Sequence, residues 1–136
     1  MRWSGWWHEQ WGGTATVTAS EARLVSLIAE AERGPRRDGL YALWLMLRAA
    51  ESVLPPHPVS LKNHRRRLQA LETRLGGLAL PAPLKRALAS ARAHLDPGTP
   101  AAAAIALSQL ITPTREVLGP EAGDAVAAAV RDARLH

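Results

Sequence analysis

Leu40-Tyr41-Ala42-Leu43-Trp44-Leu45-Met46-Leu47 is apolar from end to end. Wound as an α-helix it turns about 100° per residue, so eight residues leave no face for water. Such a helix must be enclosed by other helices or by a second copy of the chain. Asp38 precedes the run and Arg48 interrupts it. Eight residues fall far short of the roughly 20 that span a bilayer.

The segments on either side read as helices. The central helix runs from about Arg37 to Leu54 and is stopped by Pro55-Pro56. Before it, Thr18-Ala19-Ser20-Glu21 is a capping-box pattern that opens a helix with an apolar face of Leu24, Val25, Leu27, Ile28 and Ala31. Gly34-Pro35 closes that helix. After the rod, a helix from Ser60 to Gly76-Gly77 carries Leu61, Leu68, Leu71 and Leu75 at 3/4 spacing, with His64 filling the gap. Pro83 suits the first turn of a fourth helix bearing Leu84, Leu88, Ala91 and Leu95, stopped by Pro97-Gly98. Thr99-Pro100 opens an Ala-rich fifth helix to Ile111, whose small residues let another helix approach closely. Pro113 kinks or restarts it before Gly119, and a last helix spans Glu121 to Arg134. The pattern predicts an all-α fold, an antiparallel bundle of five to six helices over residues 18–136. A Trp-rich N-terminal segment, residues 1–17, should dock on it. No repeat of 20–50 residues is present.

That segment differs from the rest. Trp3, Trp6, Trp7 and Trp11 share one helical face, while Gly5 weakens a helix and the alternating Thr14–Thr18 stretch suits extended structure, so a hairpin turning at Gly12-Gly13 is the competing reading. Four Trp side chains need cover, so they form the expected interaction surface, as a plug on the bundle or on a second subunit. A membrane-interface foot is the alternative, weakened by having Arg2 as its sole cation, opposed by Glu9. A third reading is a ligand pocket walled by these Trp or by Trp44.

At 136 residues the chain is one domain, and its 47% hydrophobic content is that of a soluble protein. Phe is absent, so Leu, Ala and Trp fill the core. Cys is absent too, which removes disulfides, thiolate metal sites and Cys nucleophiles. No secretory signal opens the chain, and a cytoplasmic location is the expectation. The five His at positions 8, 57, 64, 94 and 136 show no paired spacing on one helix, so neither a metal nor another cofactor is expected. No Ser-His-Asp arrangement, Gly-rich phosphate loop or poised carboxylate pair can be assembled.

Charge is unevenly spread. The net charge is +5, and 15 of 17 basic residues are Arg. Residues 33–92 hold 12 basic and 3 acidic side chains, a net of +9, leaving −4 on the rest. A polarised surface of this kind binds an anionic partner or pairs head to tail with itself. Lys62-Asn63-His64-Arg65-Arg66-Arg67 is the densest basic stretch, with no acid between Glu51 and Glu72. Arginine grips phosphate bidentately. Lys62, Arg65, Arg66 and Arg67, with Arg36 and Arg37, are the candidate nucleic-acid or anion contacts. Three successive Arg fan across about 200° of a helix, however, and positive charge near a helix N-terminus opposes the dipole. A solvated or intrachain-paired face is the plainer reading of the run. His64, on the apolar seam, reads as a buried core residue.

Arg37-Asp38-Gly39-Leu40-Tyr41-Ala42-Leu43-Trp44, then Arg48-Ala49-Ala50, then Lys62-Asn63-His64, resembles HEPN-type helical domains over residues 20–75. Those domains pair an aromatic and Ala-rich helix with a helix opened by a Lys-x-His element. The resemblance implies a helical bundle, and many members are ribonucleases with an Arg-polar-x-x-x-His signature at a dimer interface. Arg131-Asp132-Ala133-Arg134-Leu135-His136 has that spacing, although it ends the sequence whereas the family motif is followed by more helix. By resemblance Arg131 would stabilise the transition state and His136 would act as general acid or base.

The sequence thus favours a non-enzymatic helical interaction or regulatory module, homo-oligomeric or a small subunit of a complex, with an Arg-rich face for nucleic acid or an acidic partner. A HEPN-like, toxin-type ribonuclease and a Trp-lined ligand-binding bundle are the alternatives.

Overall fold

A computed structural model describes residues 18–55 and 58–136. Among these residues there are seven helices: α1 (Ala19–Glu30), α2 (Pro35–Glu51), α3 (Leu61–Gly76), α4 (Ala82–His94), α5 (Pro100–Ser108), α6 (Ile111–Leu118) and α7 (Pro120–Arg134). The bundle is all-α, as the periodicity predicts. Segment 1–17, with Trp3, Trp6, Trp7 and Trp11, which the sequence expects to dock on the bundle, lies outside the described residues.

The helix ends follow local chemistry. Hydroxyls of Thr18, Ser60 and Thr99 accept the backbone N–H three residues on, at 3.2, 3.2 and 3.1 Å, and so open α1, α3 and α5. The capping box at α1 is only half formed, because the Glu21 side chain turns inward to Arg48 instead of back to the Thr18 N–H. Pro35, Pro100 and Pro120 occupy first turns, where the missing N–H has no partner to lose. α5 ends at Ser108 and α6 starts at Ile111, so Pro113 lies inside the first turn of α6 and the restart comes two residues before it. Gly119, at φ 99°, ends α6 and starts α7, a backbone state closed to most L side chains.

α2 is the axis and touches all six other helices. Every residue from Gly39 to Ala50 is buried, including Arg48. Leu40, Leu43, Leu45, Met46 and Leu47 are fully enclosed, each contributing about 1.5–3 kcal/mol of burial. Trp44 is enclosed as well and stacks on Tyr41 with centroids 6.1 Å apart and planes 15° apart. Gly39 lets α4 and α6 in: a Cβ there would sit 2.8 Å from Leu118 Cδ2 and 3.1 Å from Leu84 Cδ2.

α5 and α7 make the most extensive pairing. Their buried residues are mainly alanine, with Ala102, Ala103, Ala104 and Ala106 on α5 and Ala122, Ala125, Ala129 and Ala133 on α7. The small side chains of α5 therefore serve an approach within the chain.

α3 lies antiparallel to α2. Arg74 Nε donates to the Tyr41 hydroxyl at 3.3 Å, and the Ala79 N–H donates to Asp38 Oδ2 at 3.1 Å. α3 buries only His64, Leu68 and Leu71, fewer than any of α2, α5 and α7. Lys62, Asn63, Arg65, Arg66, Gln69 and Thr73 on its outer side are exposed.

Candidate functional site

The basic run of α3 divides in two. Lys62, Arg65 and Arg66 are exposed, as are Gln69 and Thr73. At 100° per residue these five fall within an arc of about 100°, diametrically opposite the buried His64–Leu68–Leu71 seam. The three cations thus form one stripe, covering about 6 Å of helix length beside the α3 N-terminus, whose dipole adds to their positive potential. Arg67 leaves the stripe. It is half-buried beside Arg48, and burial, then the Arg48 charge, lowers its pKa.

Arg36 and Arg37 are not part of this stripe. The antiparallel register puts them level with the chain that follows α3, about 20 Å along the axis from Arg65 and Arg66. Arg36 donates to the Leu118 carbonyl at the end of α6, and Arg37 is half-buried.

His64 is buried. Its Nε2 lies 2.6 Å from the Leu95 carbonyl, so Nε2 carries the proton and donates. Nδ1 is buried without a partner. The contact ties α3 to the end of α4 and keeps the imidazole out of reach of a partner on the stripe.

Arg131, on the last turn of α7, and His136, two residues beyond that helix, are both exposed. Their side chains do not line the 340 Å³ cleft between α1 and α7, which is formed by Ala22, Arg23, Ser26, Leu27, Glu30 and Glu121. No aromatic side chain borders that cleft, and Trp44 is packed in the core. Among the described residues no three His, Cys, Asp or Glu gather to hold a metal ion. No helix among them is long and apolar enough to cross a membrane.

A charged cluster that the sequence reading did not assemble sits where α1 begins and α2 ends. Arg48 Nη1 donates to both carboxylate oxygens of Glu21, at 2.8 and 2.7 Å, and both residues are buried. The Thr18 hydroxyl donates to Glu51 Oε1 at 3.0 Å. Burial raises the Glu51 pKa to about 10, helped by a hydrogen bond with Glu21 and by its charge, and opposed by the Thr18 hydroxyl and Arg48. One signal for this cluster was present: a charged residue that continues an eight-residue apolar run must be buried with it, and a buried Arg needs an acid.

No family model matches the chain, and neither the curated proteins nor the solved structures contain a significant match to it.

Proposed function

We propose that the protein is a non-enzymatic helical interaction module that binds nucleic-acid phosphates through the outward face of α3. The observation that carries this reading is the exposure of Lys62, Arg65 and Arg66 together on one arc, with no acid in the sequence between Glu51 and Glu72. Arg and Lys on a rigid helix meet phosphate oxygens with charge-assisted hydrogen bonds, and the nearby N-terminal dipole adds to the attraction. No aromatic residue lies within the stripe, so the contacts read backbone charge and not base identity.

The test is a salt series of binding isotherms with a labelled RNA duplex and a labelled DNA duplex. Affinity should fall steeply as salt rises, by a slope of about 0.9 for each DNA phosphate contacted. Replacing Lys62, Arg65 and Arg66 together by Gln should flatten that slope by two to three contacts, about 2–3 units. An acidic protein partner is the competing docking chemistry, and absence of binding to either duplex at low salt overturns the nucleic-acid reading. The integrity of the RNA is read in the same series. Cleavage that disappears on replacing Arg131 or His136 by Ala would transfer the assignment to the HEPN-like ribonuclease.

A further inference from the structure

Glu51 is a carboxyl group in an arrangement that favours its neutral form. It is the last residue of α2, and its Oε1 accepts the Thr18 hydroxyl. Its Oε2 is buried and accepts no hydrogen bond. Beside it stands Glu21, whose two oxygens both accept from Arg48 and which therefore carries the negative charge of the cluster. A second carboxylate without a donor on Oε2 would face that charge in a water-poor site. A proton on Glu51, donated to Glu21 across the hydrogen bond between the two carboxyl groups, satisfies both groups at once.

We propose that Glu51 and Glu21 share one proton and that this proton latches the start of α1 to the end of α2. Three links meet there: Thr18 hydroxyl to Glu51, Glu51 acid to Glu21, and Glu21 to Arg48. The charged groups around Glu51 are Glu21 from α1, Arg48 from α2, and Arg67 of α3 next to Arg48. His64 of α3, at the same level, is directed to the Leu95 carbonyl. Loss of the proton sets two carboxylates against each other with Arg48 as the one enclosed cation, and the joint between α1 and α2 loosens.

The sign follows from burial. The Glu51 pKa is higher in the folded chain, about 10, than its ordinary value of 4.5. The stabilisation from this group is complete below pH 4.5 and is lost as pH rises towards about 10.

The experiment has two arms on the whole chain. Thermal unfolding of the parent and of Glu51→Gln is followed between about pH 5 and about pH 9. The midpoint should fall with rising pH in the parent and stay flatter in Glu51→Gln, which keeps a neutral donor to Glu21. Parallel curves overturn the proposal. Infrared spectroscopy of the unsubstituted protein is the second arm and does not depend on the variant folding. A protonated-carboxyl C=O band should be present at neutral pH, when ordinary Asp and Glu side chains are ionised, and should vanish at alkaline pH together with hydrogen-exchange protection in the first turn of α1. Absence of that band at neutral pH also overturns the proposal.

Discussion

The two arms of the α2–α3 hairpin handle positive charge in opposite ways. α2 draws Arg48 inside and neutralises it on Glu21 with a two-point contact. α3 holds Lys62, Arg65 and Arg66 outside, where no acid of its own sequence lies within five residues. The contrast arises from what surrounds each helix. α2 has neighbours on every side, so a charge on it must be matched within the chain. α3 is covered on one seam only, so its cations keep their water and remain open to a partner. Arg67, at the border, shares both conditions and is half-buried beside Arg48.

Breaking the buried side of this contrast should have the largest effect. Arg48→Ala strands the Glu21 carboxylate, 1% exposed, without its cation. The expected loss is about 3–5 kcal/mol, read by urea unfolding near neutral pH. A loss below about 1 kcal/mol would mean that water or another cation reaches Glu21 and that the pair is not sealed. Leu43→Ala comes next, at about 2–5 kcal/mol, since Leu43 is fully enclosed and its removal leaves a cavity on the axis. Leu61→Ala on α3 is the control; with Leu61 46% exposed it should change stability by no more than about 0.5 kcal/mol.

A smaller effect is expected at Gly39. Alanine in place of a helical glycine ordinarily gains about 0.5–1 kcal/mol. Here the new Cβ meets Leu118 Cδ2 at 2.8 Å and Leu84 Cδ2 at 3.1 Å, and both leucines are buried. Overpacking of a dense core costs about 1–3 kcal/mol. Gly39→Ala should therefore destabilise by about 1 kcal/mol net, and a net gain would show that the α2–α4–α6 contact has slack.

Much of this architecture is written in local residue order. The apolar run 40–47 demands enclosure, and it is enclosed. Thr18, Ser60 and Thr99 announce helix starts because a short hydroxyl reaches the backbone N–H three residues on, and that geometry needs no tertiary partner. The buried seam of α3 follows helical period through His64, Leu68 and Leu71, but Leu61, on the same spacing at the first residue of the helix, is left 46% exposed, and Leu75 near its end is half-buried. What order along the chain leaves open is which distant groups meet. Glu21 has two good partners, the Thr18 N–H three residues back and an Arg 27 residues on; burial selects the second, because an enclosed guanidinium leaves a larger deficit than a helix end that solvent can reach. Consecutive arginines are ambiguous for a related reason. Arg66 and Arg67 differ by one step in sequence and by 100° around the helix, and only the packing of α3 on α2 shows which one is left outside. Arg36 could have joined the basic stripe by composition, but the antiparallel register carries it to the other end of the hairpin, where it serves the Leu118 carbonyl.

The smallest effect on stability should accompany the clearest effect on binding. Lys62, Arg65 and Arg66 lie in the first turn and a half of α3, where positive charge opposes the helix dipole. Their guanidinium and ammonium groups are exposed, so each stabilises the fold little. Replacing all three by Gln should leave the unfolding midpoint unchanged or slightly raised, by no more than about 1 kcal/mol, the range expected for relieving charge–dipole repulsion at an exposed helix end. The same variant should bind the duplex more weakly at low salt, with the flatter salt slope. Those two readouts move in opposite directions only if the stripe is kept for a partner. If the variant unfolds earlier than the parent, the cations hold the fold through contacts within the chain, and the distinction between the two arms of the hairpin fails at the side on which the functional reading depends.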